Sequence, residues 1–67
     1  MKNKFSNNLR VLRIEKGLKQ NDLAKILSTT QRKVSYWESG KVEPDISSLW
    51  DIADFFDVTI DELVGRE

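Results

Sequence analysis

Apolar residues recur along this chain at spacings of three and four rather than two, so the pattern predicts helices. Phe5, Leu9 and Leu12 mark a first helix of about residues 6 to 16, with Gly17 as its stop and Arg13 at the edge of the apolar stripe. Leu23, Ala24 and Leu27 mark a short second helix of about 20 to 27, where the small Ala24 lets another helix cross closely. Ser28, Thr29 and Thr30 interrupt the pattern, and the Thr30 hydroxyl is a good N-cap for a third helix that runs to about Ser39 before Gly40. Pro44 falls in a loop, and Asp45 can cap a fourth helix of about 46 to 56 carrying Ile46, Leu49, Ile52, Ala53 and Phe56. Thr59 with Glu62 matches a capping box for a short fifth helix. The expected architecture is all-α: a compact bundle of about five short helices forming a single domain over residues 1 to 67.

The third helix carries an unusual mixture, "TTQRKVSYWESG" with its flanks. At 100° per residue, Val34, Trp37 and Glu38 fall together on one side, and Gln31, Arg32, Ser35, Tyr36 and Ser39 on the other, with Lys33 on the flank. The outward side is rich in hydrogen-bonding groups and begins at the N-cap. Two short helices joined by a few turn residues, the second with such a face, describe a helix-turn-helix over about residues 20 to 39 that could enter a DNA major groove.

Composition narrows the chemistry. With 67 residues the chain buries only about 60% of its unfolded surface, so its stability should be modest. No cysteine and no histidine are present, which removes disulfides, thiolate nucleophiles, Cys/His metal sites and imidazole acid/base catalysis. No apolar stretch approaches a membrane span, and a cytoplasmic location is expected. The carboxylates lie on helix surfaces without a companion base, metal cluster or phosphate-cradling loop, so an enzyme is not expected, nor a cofactor, metal or small-molecule ligand. The formal net charge is +0, yet it is polarised: residues 1 to 37 hold nine Lys/Arg against Glu15 and Asp22, and residues 38 to 67 hold Lys41 and Arg66 against nine Asp/Glu. That split, +7 against −7, suits one end for a polyanion and one end kept away from it.

Three segments make the reading specific: "LRVLRIEKGLKQNDLAKIL" (residues 9 to 27), "TTQRKVSYWESGKVEP" (29 to 44) and "LWDIADFFDVTIDEL" (49 to 63). Together they resemble the Cro and phage-repressor, or XRE-type, family of helix-turn-helix regulators, through Arg13, the "KGLKQ" turn with Gln20, "LA" at 23 and 24, "WESG" at 37 to 40, Pro44 and "IADFFDVTIDEL". The resemblance implies a lambda-repressor-like DNA-binding domain and a sequence-specific double-stranded DNA-binding transcriptional regulator, a repressor that occupies operator or promoter DNA. It implies Gln31, Arg32 and Tyr36 as base-edge readers, and Gln can pair with adenine as Arg can with guanine. Gln20 is implied as a phosphate anchor, and Arg10, Arg13, Lys33, Ser35, Ser39 and Lys41 are further backbone-contact candidates. The family also pairs the arginine at Arg13 with the glutamate at Glu38, which would compensate a carboxylate placed in the last turn of a helix.

Two positions depart from the family's habits. Lys19 stands where Ser or Thr usually caps the second helix, and Ser28 replaces a glycine, which requires it to accept a left-handed conformation or the turn to adjust. Glu43 lies in a loop where related proteins often approach DNA with basic groups, so minor-groove contact from that loop is not expected here. A homodimer on an inverted repeat is expected from the resemblance, with Trp50, Phe55, Ile60 and Val64 as interface candidates. The competing reading is a protein-interaction module or an antitoxin-type subunit built on the same bundle.

Overall fold

Each predicted segment becomes a helix in the computed structural model, which describes residues 4 to 65. The order is α1 (Phe5–Glu15), α2 (Gln20–Ile26), α3 (Gln31–Ser39), α4 (Ile46–Phe56) and α5 (Ile60–Val64). All five contribute to one core: Phe5 and Leu9 from α1, Leu23 and Ala24 from α2, Val34 and Trp37 from α3, Ile52, Ala53 and Phe56 from α4, and Leu63 from α5. Trp37, the largest of the fully buried side chains, is 1% exposed. Because Val34 and Trp37 are three apart, their burial turns the opposite side of α3 outward.

Helix starts follow local chemistry. The hydroxyl of Thr30 accepts from the Lys33 N–H at 3.1 Å, and the Asp45 carboxylate accepts from the Ser48 N–H at 2.9 Å. Thr59 and Glu62 form the full reciprocal box. At α2 only half a box is possible: the Lys19 ammonium has no lone pair to offer, and the return bond from the Lys19 N–H to Asp22 Oδ2, 2.9 Å, stands alone. These bonds hold the carboxyls of Asp45 and Glu62 below the usual carboxylate range, through Ser48 and Thr59 respectively.

Helix ends share one device. After α2 the Thr29 N–H donates to the Ala24 carbonyl and the Ser28 N–H to that of Lys25, which needs a left-handed residue between them, and Ser28 supplies it at φ 56°. α4 ends the same way on Asp57, φ 55°, a second non-glycine in this region. At the far end of the fold, Asn8 of α1 donates to the Leu63 and Glu62 carbonyls at 3.0 and 3.3 Å, and the Lys4 N–H to Val64 at 2.9 Å, so α1 covers the carbonyl end of α5.

One expectation needs correction. Ile46 was expected on the apolar face of α4, but it is 72% exposed, because α4 reaches the core only from Leu49 onward. Of the interface candidates, Phe55, Ile60 and Val64 pack against the core and are half-buried, since the short α5 must contribute more than Leu63 to close the bundle. Phe55 is further occupied by the edge of Phe56, centroids 4.9 Å apart, and by the Lys16 ammonium 5.1 Å from its ring. Of the four candidates only Trp50, 62% exposed, remains open.

α1 and α3 are joined by a nearly buried ion pair. Arg13 Nε donates to Glu38 Oε2 at 2.7 Å and Nη2 to Oε1 at 3.0 Å, with the two side chains 13% and 4% exposed. Arg13 Nη1 also donates to the Leu18 carbonyl at 2.8 Å, which secures the turn into α2. The hydrogen bond to Glu38 raises the Arg13 pKa against the opposing effect of burial, so the guanidinium stays charged.

Arg13→Ala is expected to cost about 3 kcal/mol of unfolding free energy in urea, because it strands a buried carboxylate. Arg13→Met combined with Glu38→Leu should recover much of that loss. Ser28→Gly should raise the urea midpoint by about 0.5 to 1 kcal/mol equivalent, since glycine has no penalty at a left-handed φ. The depressed Asp45 and Glu62 carboxyls add stability above the unfolded-chain pKa that is lost as pH falls through the folded values. Far-UV circular dichroism should therefore show an acid limb below about pH 4 that becomes shallower in Asp45→Asn with Glu62→Gln.

Candidate nucleic-acid interface

The outer side of α3 carries Gln31 and Arg32 in its first turn, both exposed, followed by half-buried Ser35 and Tyr36 and exposed Ser39. Arg32 and Tyr36 are four apart and share a strip, as do Gln31 and Ser35. α2 begins beside this strip. Gln31 Nε2 donates to Gln20 Oε1 at 3.0 Å, and Gln20 Nε2 donates to Glu38 Oε1 at 3.1 Å. A continuous polar chain thus runs from the exposed tip of Gln31 through Gln20 and Glu38 to Arg13. The sequence anticipates the Arg13–Glu38 pair but not the links through Gln20, because Gln20 and Gln31 lie eleven positions apart on different helices.

The remaining candidates separate by what already engages them. Gln20 has both ends of its amide occupied and keeps one N–H for an anion. Arg13 uses three of its guanidinium bonds internally and shows only a narrow edge. Ser39 donates its single hydroxyl proton to the Tyr36 carbonyl at 3.2 Å, so its bond is spent within α3. The Lys41 ammonium sits 5.4 Å from the Tyr36 ring centroid, which steadies that ring and places a cation at the C-terminal end of the strip. Lys33 turns toward α4: its charge helps lower the Asp45 pKa, and with Ser48 and Asp51 it lines a polar cleft of about 140 Å³. Arg10 is exposed on α1, one turn before Arg13.

None of the strip's residues lines the apolar groove between α1 and α5 beside Val11, Leu12 and Val58. Among the described residues there is no acidic, His or Cys cluster that could hold a metal ion, and no helix long and apolar enough to cross a membrane. What the strip offers is a row of amide, guanidinium and hydroxyl groups above the buried Val34 and Trp37. The charge split of the sequence survives folding: Arg32, Lys41 and Arg10 are exposed on or beside the first three helices, and Asp51, Asp54, Asp57, Asp61 and Glu62 on the last two.

Comparison with known proteins places this geometry. The family model described as helix-turn-helix (HTH_3) matches residues 9–63. The HTH-type transcriptional activator BcrR of Enterococcus faecalis is 46% identical over 63 residues, covering 94% of this chain and 31% of that protein. A transcriptional regulator from Listeria innocua superposes with a TM-score of 0.92 at 40% identity, over 100% of this chain and 63% of that one. The P22 c2 repressor, solved with a synthetic operator, has the same fold: TM-score 0.87 at 21% identity, over 94% of this chain and 96% of that one. The chain thus spans about a third of the length of BcrR and under two thirds of the Listeria regulator. With Trp37 buried beneath α3, a polar outer strip begun by Thr30 and a family match over residues 9–63, the chain belongs to the XRE-type helix-turn-helix family of transcriptional regulators.

Proposed function

We propose that the chain is a sequence-specific regulator that binds duplex DNA with α3 in the major groove and represses by occupying operator or promoter sequence. The observation that carries this is the exposed pair Gln31 and Arg32 at the start of α3, the first of them braced from behind by Gln20. Gln31 is suited to an adenine edge and Arg32 to guanine. Tyr36, one turn on, presents ring and hydroxyl to the next base or to a thymine methyl. Arg10, Gln20, Lys41 and the edge of Arg13 contact phosphates, while Ser35 and Ser39 line the strip and Lys33 is the outermost flank.

The functional unit in this reading is a homodimer on an inverted repeat, with half-sites about 34 Å apart. Trp50 and Ile46, 62% and 72% exposed and four residues apart on α4, are the open apolar surface for that contact. The same pair favours a second reading, in which the bundle is an interaction module or antitoxin-type subunit whose partner covers it.

Gln31→Ala and Arg32→Ala are each expected to weaken binding to a duplex selected from a random pool by about 10- to 100-fold, without moving the unfolding midpoint. Fluorescence anisotropy should show affinity falling steeply between 50 and 200 mM salt, and Lys41→Ala should lower that slope by about one. Binding unaffected by either substitution, or independent of salt, would contradict the reading.

A further inference from the structure

Between the end of α2 and the outer side of α4 runs a groove that takes no part in reading DNA. Ile26, Leu27 and Ser28 line it from α2 and the turn, and Asp51, Asp54 and Phe55 from α4, around a volume of about 340 Å³. Ile26 is 46% exposed, so an aliphatic side chain stands half in water at the groove's edge. Asp51 and Asp54 are three apart and share one face of α4. Both are exposed, and among the described residues neither carboxylate has a hydrogen bond or an ion pair. The Lys16 ammonium already lies over the Phe55 ring at 5.1 Å, so the open floor is Ile26 and Leu27. An apolar floor beneath a rim of free carboxylates calls for an occupant with an apolar stem and a cationic head.

Arginine has both: its methylenes lie along apolar surface while its guanidinium bonds carboxylates. This chain presents such a residue elsewhere on its surface. Arg32 is exposed at the start of α3, its guanidinium without a partner among the described residues, and it does not line its own chain's groove. Tyr36 follows one turn on with the Lys41 ammonium 5.4 Å from its ring, so a ring and a second cation arrive on the same strip. The polarity of the whole sequence acts in the same sense. Halves of +7 and −7 cancel to a net +0, which attracts copies end to end and removes the net repulsion that keeps proteins apart. We propose that the groove between α2 and α4 receives the Arg32–Tyr36 strip of a second copy, so that free protein associates head to tail and covers its own reading strip. Such a contact does not close on itself: a pair keeps one strip and one groove open. Duplex DNA competes with the acidic groove for the same side chains. The contact stands apart from the DNA-binding reading, and only this competition rests on it.

The test mixes two variants of the full chain, both altered at exposed positions. Asp51→Asn with Asp54→Asn keeps the strip and loses the acidic rim, whereas Arg32→Ala keeps the groove and loses the guanidinium. In amide NMR spectra at low salt, the unsubstituted chain should show concentration-dependent shifts at both the strip and the groove, and neither variant alone should. Adding unlabelled Arg32→Ala to ¹⁵N-labelled rim variant should move signals of α3 only, and exchanging the label should move those of Ile26 to Ser28 and Asp51 to Phe55 only. The dissociation constant should rise at least about tenfold between about 0.01 and about 0.1 M salt, as the screening length shortens from about 30 to about 10 Å. A symmetric dimer through Trp50 and Ile46 survives in both variants and cannot produce this label-dependent response. Shifts confined to Trp50 and Ile46, or a mixture in which strip and groove stay silent, overturn the proposal. A selected duplex should return the groove signals to those of the dilute chain; groove signals still shifted in the DNA complex would show that the strip is not the occupant. If no duplex binds, the DNA-reading assignment fails, and the mixing result still decides the contact.

Discussion

The start of α3 is tied to the helices behind it through one carboxylate placed where a charge is costly. Glu38 lies in the last turn of α3, where the helix dipole opposes it, and is almost wholly out of water. Both penalties would favour its loss without a partner, and Arg13 answers with two bonds from α1. The consequence reaches beyond the pair. The same guanidinium holds the Leu18 carbonyl and the same carboxylate holds the Gln20 amide, so α1, the turn before α2, α2 and α3 meet at one polar node. Apolar packing around Trp37 brings these helices together without fixing rotation about their axes, because hydrophobic contact is non-directional. The hydrogen bonds at Glu38 supply the missing direction.

Legibility of the fold followed the range of the forces. Thr30, Asp45 and the Thr59–Glu62 box act within one turn, and each sits where its side chain can reach the backbone it caps. The need for a left-handed Ser28 was readable from a missing glycine. Asp57 was not read in advance: aspartate is among the side chains that enter this region more readily, but the bond from the Val58 N–H to the Ala53 carbonyl that accompanies its φ is a feature of the folded helix end. Asn8 was silent for another reason: its partners are carbonyls 54 and 55 positions away. Periodicity identified the apolar stripe of α4 but not its extent. Ile46 fits the stripe and still lies outside, since a wheel has no information about where the neighbouring helices stop.

For the candidate site, residue types and the Arg13–Glu38 pair were legible, and the links through Gln20 and Gln31 were not. Gln20, Gln31, Arg13 and Glu38 were all singled out, yet three of the contacts joining them cross between helices. The surface opposite in charge completes the picture. Asp51, Asp54, Asp57, Asp61 and Glu62 are exposed on α4, α5 and the turn between them, so a polyanion meets repulsion there and attraction at the exposed Arg10, Arg32 and Lys41.

The bond from the Lys4 N–H to the Val64 carbonyl, reinforced by Asn8 over the end of α5, has a topological meaning. Entrance and exit of the folded unit adjoin, so polypeptide joined at either side leaves from a common point. A unit built this way can be spliced into a larger architecture as a cassette, its five helices undisturbed by what is tethered to it.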